Sequence, residues 1–227
     1  MLERPGGRLA ARPLHFFFVA DCSGSMAGDK IQSLNQAIRE AIPAMRAVAA
    51  ENPNAAVLVR ALRFSNGAQW HIPQATPVDQ FEWIDLTASG QTDMGKALTM
   101  IADELRMPPM TERALPPVIV LVSDGQPTDD FEAGLRRLNE EPWGKKAVRI
   151  AIAIGHDADE ETLREFVGNN EIPVLRASNP EALTAYIKWA STVVVKSVSS
   201  PPSVVEGSVV HLPVPVDSPD TNQPDVW

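Results

Sequence analysis

The 227-residue sequence has a single cysteine, Cys22. No disulfide can form within the chain, so its core must hold the fold. One unpaired cysteine also suits a reducing compartment. Positive charge is scarce: 20 Lys and Arg stand against 29 Asp and Glu, a formal net charge of -9. Such a chain lacks the general positive field that holds nucleic acid or anionic lipid, and cations are its more natural ligands. No apolar run is long enough to span a bilayer. Arg4, Arg8 and Arg12 precede the apolar run Leu14 to Ala20 in the manner of a secretory leader. That run is short, contains His15 and ends at Asp21 with no small-residue cleavage site, so it reads as a buried strand. There is no internal repeat and no Gly-x-Ser-x-Gly nucleophile elbow. The four histidines, His15, His71, His156 and His211, show no ligand spacing.

What remains is an alternation of short apolar runs and helical stripes. Leu14–Ala20 and Val118–Val122 have the apolar character of strands covered on both faces; Ala55–Phe64, interrupted by Arg60 and Arg63, and Ala147–Ile154 also read as strands. Gln69–Ile72 suits an antiparallel edge, residues 73–91 read as irregular, and Pro173–Leu175 as a short strand. Helical stripes run through residues 30–50, Met94–Leu105, 129–139, Asp159–Val167 and the segment after Ser178-Asn179-Pro180-Glu181. Asp129/Glu132 and Ser178/Glu181 have the spacing of capping boxes. Strands alternating with helices predict an α/β, doubly wound, mostly parallel central sheet with helices on both faces, a Rossmann-like fold. The expected organisation is a lead-in over residues 1–12, one domain over 13–196, and a Pro/Ser/Val-rich tail over 197–227. By composition that tail is a linker, or else its valine pairs at 204–205 and 209–210 add a strand or bind a neighbour.

In an open α/β sheet ligands sit beyond the carboxyl ends of the strands. The first strand runs into Asp21-Cys22-Ser23-Gly24-Ser25-Met26, a later one into Ser123-Asp124-Gly125, and Gly90-Gln91-Thr92-Asp93 leads into a helix. Asp21, Ser23, Ser25, Thr92 and Asp124 are thereby expected at one rim. Two carboxylates and three hydroxyls are hard oxygen donors, suited to Mg²⁺, Mn²⁺ or Ca²⁺ rather than zinc or copper. Gly24 is expected to let the Ser23–Ser25 backbone turn sharply. With both carboxylates acting through water, the ion keeps positive charge and an exchangeable position that a carboxylate from another chain would fill.

This constellation resembles the metal-ion-dependent adhesion site of von Willebrand factor type A domains, over residues 13–196. The resemblance implies Ser23, Ser25 and Thr92 as direct ligands, with Asp21 and Asp124 acting through water or hydrogen bonds. It implies a binding module rather than an enzyme: one divalent cation, Mg²⁺ by preference, grips a Glu or Asp of a partner protein. Val122–Asp130 (VSDGQPTDD) and Ile187–Ser191 (IKWAS) further resemble the bacterial TerY-type proteins. These are cytoplasmic A domains of tellurite-resistance and stress gene clusters, found alongside a protein kinase and a metal-dependent phosphatase. Gln91 stands where such proteins more often have Gly.

Each piece also has a plainer reading. Asp21 alone would cap a turn, and Ser23 and Ser25 alone would be loop residues; five oxygen donors on one rim favour the metal. Gly90-Gln91-Thr92-Asp93-Met94-Gly95-Lys96-Ala97 nearly spells a phosphate-binding loop. Ala97 replaces the required hydroxyl and no strand leads directly into it, so nucleotide binding is rejected and Lys96 is read as a solvated helix residue. Asp129 and Asp130 are read as helix caps, and Cys22 as a small buried filler whose neighbouring carboxylate disfavours a thiolate. Trp70, Trp83, Trp143 and Trp189 are read as packing residues, with Trp83 and Trp143 also candidates for facing a partner. The alternative function is a metal-dependent hydrolase of phosphoesters.

Overall fold

The computed structural model describes residues 11–199 and 226–227. Among these, six strands form one sheet in the order β3-β2-β1-β4-β5-β6. They are β1 (Arg12–Asp21), β2 (Ala55–Ser65), β3 (Gly67–Pro77), β4 (Val118–Ser123), β5 (Val148–Ile154) and β6 (Leu175–Ala177). All neighbours are parallel except β2 and β3, which form an antiparallel hairpin at one edge. The predicted doubly wound α/β fold is therefore the observed one.

The side chains of β1 show why both faces are covered. Leu14, Phe16, Phe18 and Ala20 point to one core, with α1 (Asp29–Glu51) and α6 (Pro180–Trp189). Phe17 and Val19 point to a second core, with α2 (Met94–Glu104), α3 (Phe131–Glu140), α4 (Pro142–Lys146) and α5 (Glu160–Val167). Such a strand cannot show period-two alternation of polarity, because neither face meets water. After α6 the helix widens into a π-helical turn, Ala190–Val194, and ends as α7 (Val195–Ser199). The helix thus runs past the expected boundary at 196. Residues 200–225 of the predicted linker, with the two valine pairs, lie outside the described residues. Val226 and Trp227 pack onto the domain: the Val226 amide donates to the Ser178 carbonyl at 3.1 Å, and the Trp227 indole N–H to the Ala177 carbonyl at 3.2 Å.

Several local expectations are corrected. The edge strand continues to Pro77 instead of giving way to an irregular stretch at 73. Its register slips between the Ala61–Ile72 and Val59–Thr76 pairs, so Pro73 falls in a bulge on an edge strand, where a missing N–H is tolerated. The last strand begins two residues later than expected, at Leu175. Asn179, not Ser178, caps α6, accepting from the Ala182 amide at 2.8 Å. Trp143 lies buried on the short helix α4. The Trp83 indole donates to Asn35 Oδ1 at 3.0 Å and packs against Phe18, so both tryptophans serve packing.

Candidate metal centre

The strand order reverses direction between β1 and β4: β2 and β3 lie to one side of β1, and β4 to β6 to the other. That switch point is where an open sheet leaves a crevice at its carboxyl edge. Ala20 pairs with Val122 across it, which sets Asp21 beside Ser123 and Asp124. The Ser123 hydroxyl donates to Asp21 Oδ2 at 2.5 Å, and the Ser23 amide donates to Asp21 Oδ1 at 2.8 Å. The Ser25 hydroxyl donates to Asp124 Oδ1 at 2.7 Å, and Ser23 Oγ lies 3.0 Å from Ser25 Oγ. Lys30 Nζ donates to Asp124 Oδ2 at 2.6 Å. Asp21, Ser23, Ser25 and Asp124 thus form one hydrogen-bonded group.

Thr92 arrives from the long segment after β3. Asn35, a buried polar residue of α1, anchors that segment: its Oδ1 accepts the Leu86 amide at 2.8 Å, and its amide group donates to the Leu86 carbonyl at 3.0 Å. The Ser89 amide then donates to the Cys22 carbonyl, and the Gly24 amide to the Gly90 carbonyl at 2.9 Å. Ser23–Ser25 enters a single 3-10 turn at Gly24–Met26, and Gly24 does not have a positive φ. The sharp turn expected of Gly24 therefore does not require glycine, and a methyl there would stand 3.4 Å from the Gly90 oxygen, an ordinary contact. Gly90 itself has φ 88°, a conformation that L side chains rarely adopt.

Sequence reasoning missed the clamp on Thr92. Thr128 accepts the Thr92 amide on its hydroxyl at 2.9 Å and returns its own amide to the Thr92 carbonyl at 2.9 Å. Asp129 does not cap its own helix. Its two oxygens accept the Gly95 and Lys96 amides, each at 2.8 Å, so it caps α2. Asp130 caps α3 through the Ala133 amide. Residues 128 and 129 follow directly on the Ser-Asp-Gly motif, and Asp129 was the available signal, assigned to the wrong helix.

The donors converge on a small space. A methyl on Gly125 would stand 3.5 Å from Thr92 Oγ1 and 3.8 Å from Ser25 Oγ. The glycine leaves a cradle between two hydroxyls of distant segments. Asp21, Ser23, Thr92 and Asp124 are buried, and Ser25 is exposed, so the group opens to solvent at Ser25. All four carboxylate oxygens already hold protein donors, while the hydroxyl oxygens keep lone pairs. That division suits a small hard cation held on hydroxyls with carboxylates behind them. No set of three His, Cys, Asp or Glu that could hold a metal occurs among the described residues. A carboxylate cage or a zinc site of the usual His/Cys kind is absent from them.

Burial pushes the Asp21 carboxyl above its usual range, the Ser123 and Ser23 hydrogen bonds pull it back, and Asp124 pushes it up again. Burial, reinforced by Asp21, pushes the Cys22 thiol up to about 12, which suits the buried filler expected of it. Asp93 behaves oppositely. The Lys96 ammonium donates to it at 2.6 Å and holds its carboxyl below the usual carboxylate range, with help from the Gly67 amide and the Thr128 hydroxyl. Lys96 is therefore ion-paired, although its side chain remains mostly exposed. A carboxyl lowered in the folded state stabilises above its unfolded value, about 3.9, and loses that contribution as pH falls through the lower folded value. The melting-temperature gap between wild type and Asp93→Asn is thus expected to be constant near neutrality and to shrink below about pH 4, as thermal melts across pH will read.

The von Willebrand factor type A domain model matches residues 16–188. No curated protein matches the chain. Among solved structures, the ArnB paralog VWA2 from Sulfolobus acidocaldarius is similar at 21% identity and TM-score 0.58, with 78% of this chain and 44% of that one covered. A von Willebrand factor type A protein from Catenulispora acidiphila is similar at 16% identity and TM-score 0.60, covering 81% and 43%. Proximal thread matrix protein 1 from the mussel byssus, solved with a zinc-occupied MIDAS motif, is similar at 14% identity and TM-score 0.63, covering 83% and 48%. The chain spans less than half the length of each, and at these identities the likeness is one of fold.

Proposed function

Because the chain belongs to the von Willebrand factor type A domain family, we propose that the group at its sheet edge is a metal-ion-dependent adhesion site. It binds one divalent cation and through it an acidic residue of a partner protein. One observation carries the reading: both oxygens of Asp21 and both of Asp124 are occupied by protein donors, while the hydroxyls of Thr92 and Ser25 line the Gly125 cradle and Ser23 Oγ adjoins Ser25 Oγ. Neutral direct ligands leave an ion with charge to share, and a carboxylate from outside is a better ligand than water. Ser23, Ser25 and Thr92 would be direct ligands; Asp21 and Asp124 would act through water or hydrogen bonds.

Binding is favoured over hydrolysis because each carboxylate oxygen of the site already accepts a protein hydrogen bond, which leaves none free to take a proton from water. Ser25 and Lys30 donate to Asp124, and the Ser23 amide and Ser123 hydroxyl donate to Asp21. The hard donor set favours Mg²⁺ or Mn²⁺, with Ca²⁺ next. Since the mussel protein carries zinc in its motif, zinc belongs in the same titration. The finer reading is a TerY-like, cytoplasmic bacterial stress or tellurite-resistance system with a kinase or metal-dependent phosphatase as partner. It is supported by the residue runs Val122–Asp130 and Ile187–Ser191. No helix among the described residues is long and apolar enough to cross a membrane.

The test is direct cation binding followed by chelator-sensitive capture. A cation at a hundred times its dissociation constant adds about 2.7 kcal/mol to unfolding. The melting temperature should then rise by roughly 5–10 °C in a domain of this size. Partner capture from native extract should vanish with chelator and in Asp124→Ala. Capture that persists in both, or phosphoester turnover lost in Asp21→Ala, would replace this reading with another.

A further inference from the structure

We propose that Lys30 keeps the bound cation electrophilic, and so sets the site's appetite for carboxylates; the proposal rests on the metal reading above. Lys30 stands in the first turn of α1, four residues beyond Met26 of the 3-10 turn that carries Ser25. Its ammonium lies 2.6 Å from Asp124 Oδ2, on the oxygen that Ser25 does not use. It is not a loose surface amine, for its side chain is 17% exposed. A methyl on Gly155 would stand 3.3 Å from Nζ, so the backbone after β5 packs close to the ammonium.

The charges then decide the chemistry. Asp21 and Asp124 alone would cancel a dication and leave a neutral site. Lys30 adds one positive charge too far out to compete for the ion's position. The loaded site is left with a net positive charge, which one external carboxylate brings to zero. Holding the outer oxygen of Asp124 also keeps its inner oxygen on Ser25 and away from direct ligation. The lysine therefore weakens cation binding and strengthens anion binding, and these opposite signs distinguish it from a residue that merely props up Asp124.

Free Mn²⁺, read by electron paramagnetic resonance, gives cation affinity. Acetate titrated at constant ionic strength into Mn²⁺-loaded protein, read by water-proton relaxation, gives carboxylate affinity. Lys30→Met should bind Mn²⁺ about tenfold more tightly and acetate about tenfold more weakly, since a unit charge is removed from beside the site. Lys30→Arg should match wild type in both. Lys30→Met that loses both affinities, changes neither, or moves them in the same direction overturns the role given to Lys30, while Ser23-dependent Mn²⁺ binding by wild type still upholds the metal site. Wild type that binds no Mn²⁺ overturns the metal reading and the Lys30 proposal together.

Discussion

Ser23→Ala is expected to lower Mn²⁺ affinity by at least about a hundredfold, because even outer partners of a metal site are commonly worth ten- to hundredfold. The fold should survive the change. Ser23 Oγ lies 3.0 Å from Ser25 Oγ and the Ser23 hydroxyl also bonds the Asp21 carboxylate, and losing each such hydrogen bond costs about 1 kcal/mol. Asp21→Asn separates charge from shape at the same site. The amide oxygen can still accept the Ser23 amide, and the Ser123 hydroxyl can rotate to accept where it donated. The fold should therefore survive while the site loses a negative charge behind the ion. Gly125→Ala adds a methyl at ordinary contact distances from Thr92 Oγ1 and Ser25 Oγ, so it should occupy the cradle without a clash. Isothermal titration with Mn²⁺, paired with melting of the cation-free proteins, reads both halves. Three variants that keep wild-type affinity would mean that the cation sits elsewhere.

The sheet was legible because strands covered on both faces are written as unbroken apolar runs, and Leu14–Ala20, Val118–Val122 and the run ending at Ile154 are such runs. The edge strand was only half legible. Pro73 is a valid signal against a central strand, yet an edge strand with a bulge accepts it. The short helix α4 escaped because Pro142-Trp143-Gly144 carries no full turn of periodicity. At the site, Asp21, Ser23, Ser25 and Asp124 could be placed together because each abuts the end of a strand. Thr92 could be placed at the rim, but not its support. Its clamp by Thr128 and Asp129 depends on α2 and α3 lying side by side, a tertiary fact that no spacing along the chain records. Lys30 escaped for a similar reason: one turn into a helix it looks solvated, and only the register of β1 against β4 sets Asp124 within its reach.

The largest loss of stability is expected from a substitution that helix propensity alone would recommend. Gly95 lies inside α2, where alanine normally gains about 1 kcal/mol over glycine. Here a methyl would stand 2.7 Å from the Asp130 carbonyl carbon and nearer still to its oxygen. Reciprocally, a methyl on Gly134 of α3 would stand 2.7 Å from the Gly95 Cα. The two helices meet backbone to backbone through this glycine pair, and no flexible side chain can yield. Overpacking of this kind costs about 3 kcal/mol, or roughly 6–12 °C of melting temperature in a domain of this size. Separating α2 from α3 also pulls Asp129 from the Gly95 and Lys96 amides and Thr128 from Thr92, so Gly95→Ala should weaken Mn²⁺ binding as well. That coupling sets it apart from Gly125→Ala, which should strike the cradle and spare the fold. Denaturant unfolding beside Mn²⁺ titration will separate the two, and a Gly95→Ala protein as stable as wild type would show that α2 and α3 do not pack through their backbones.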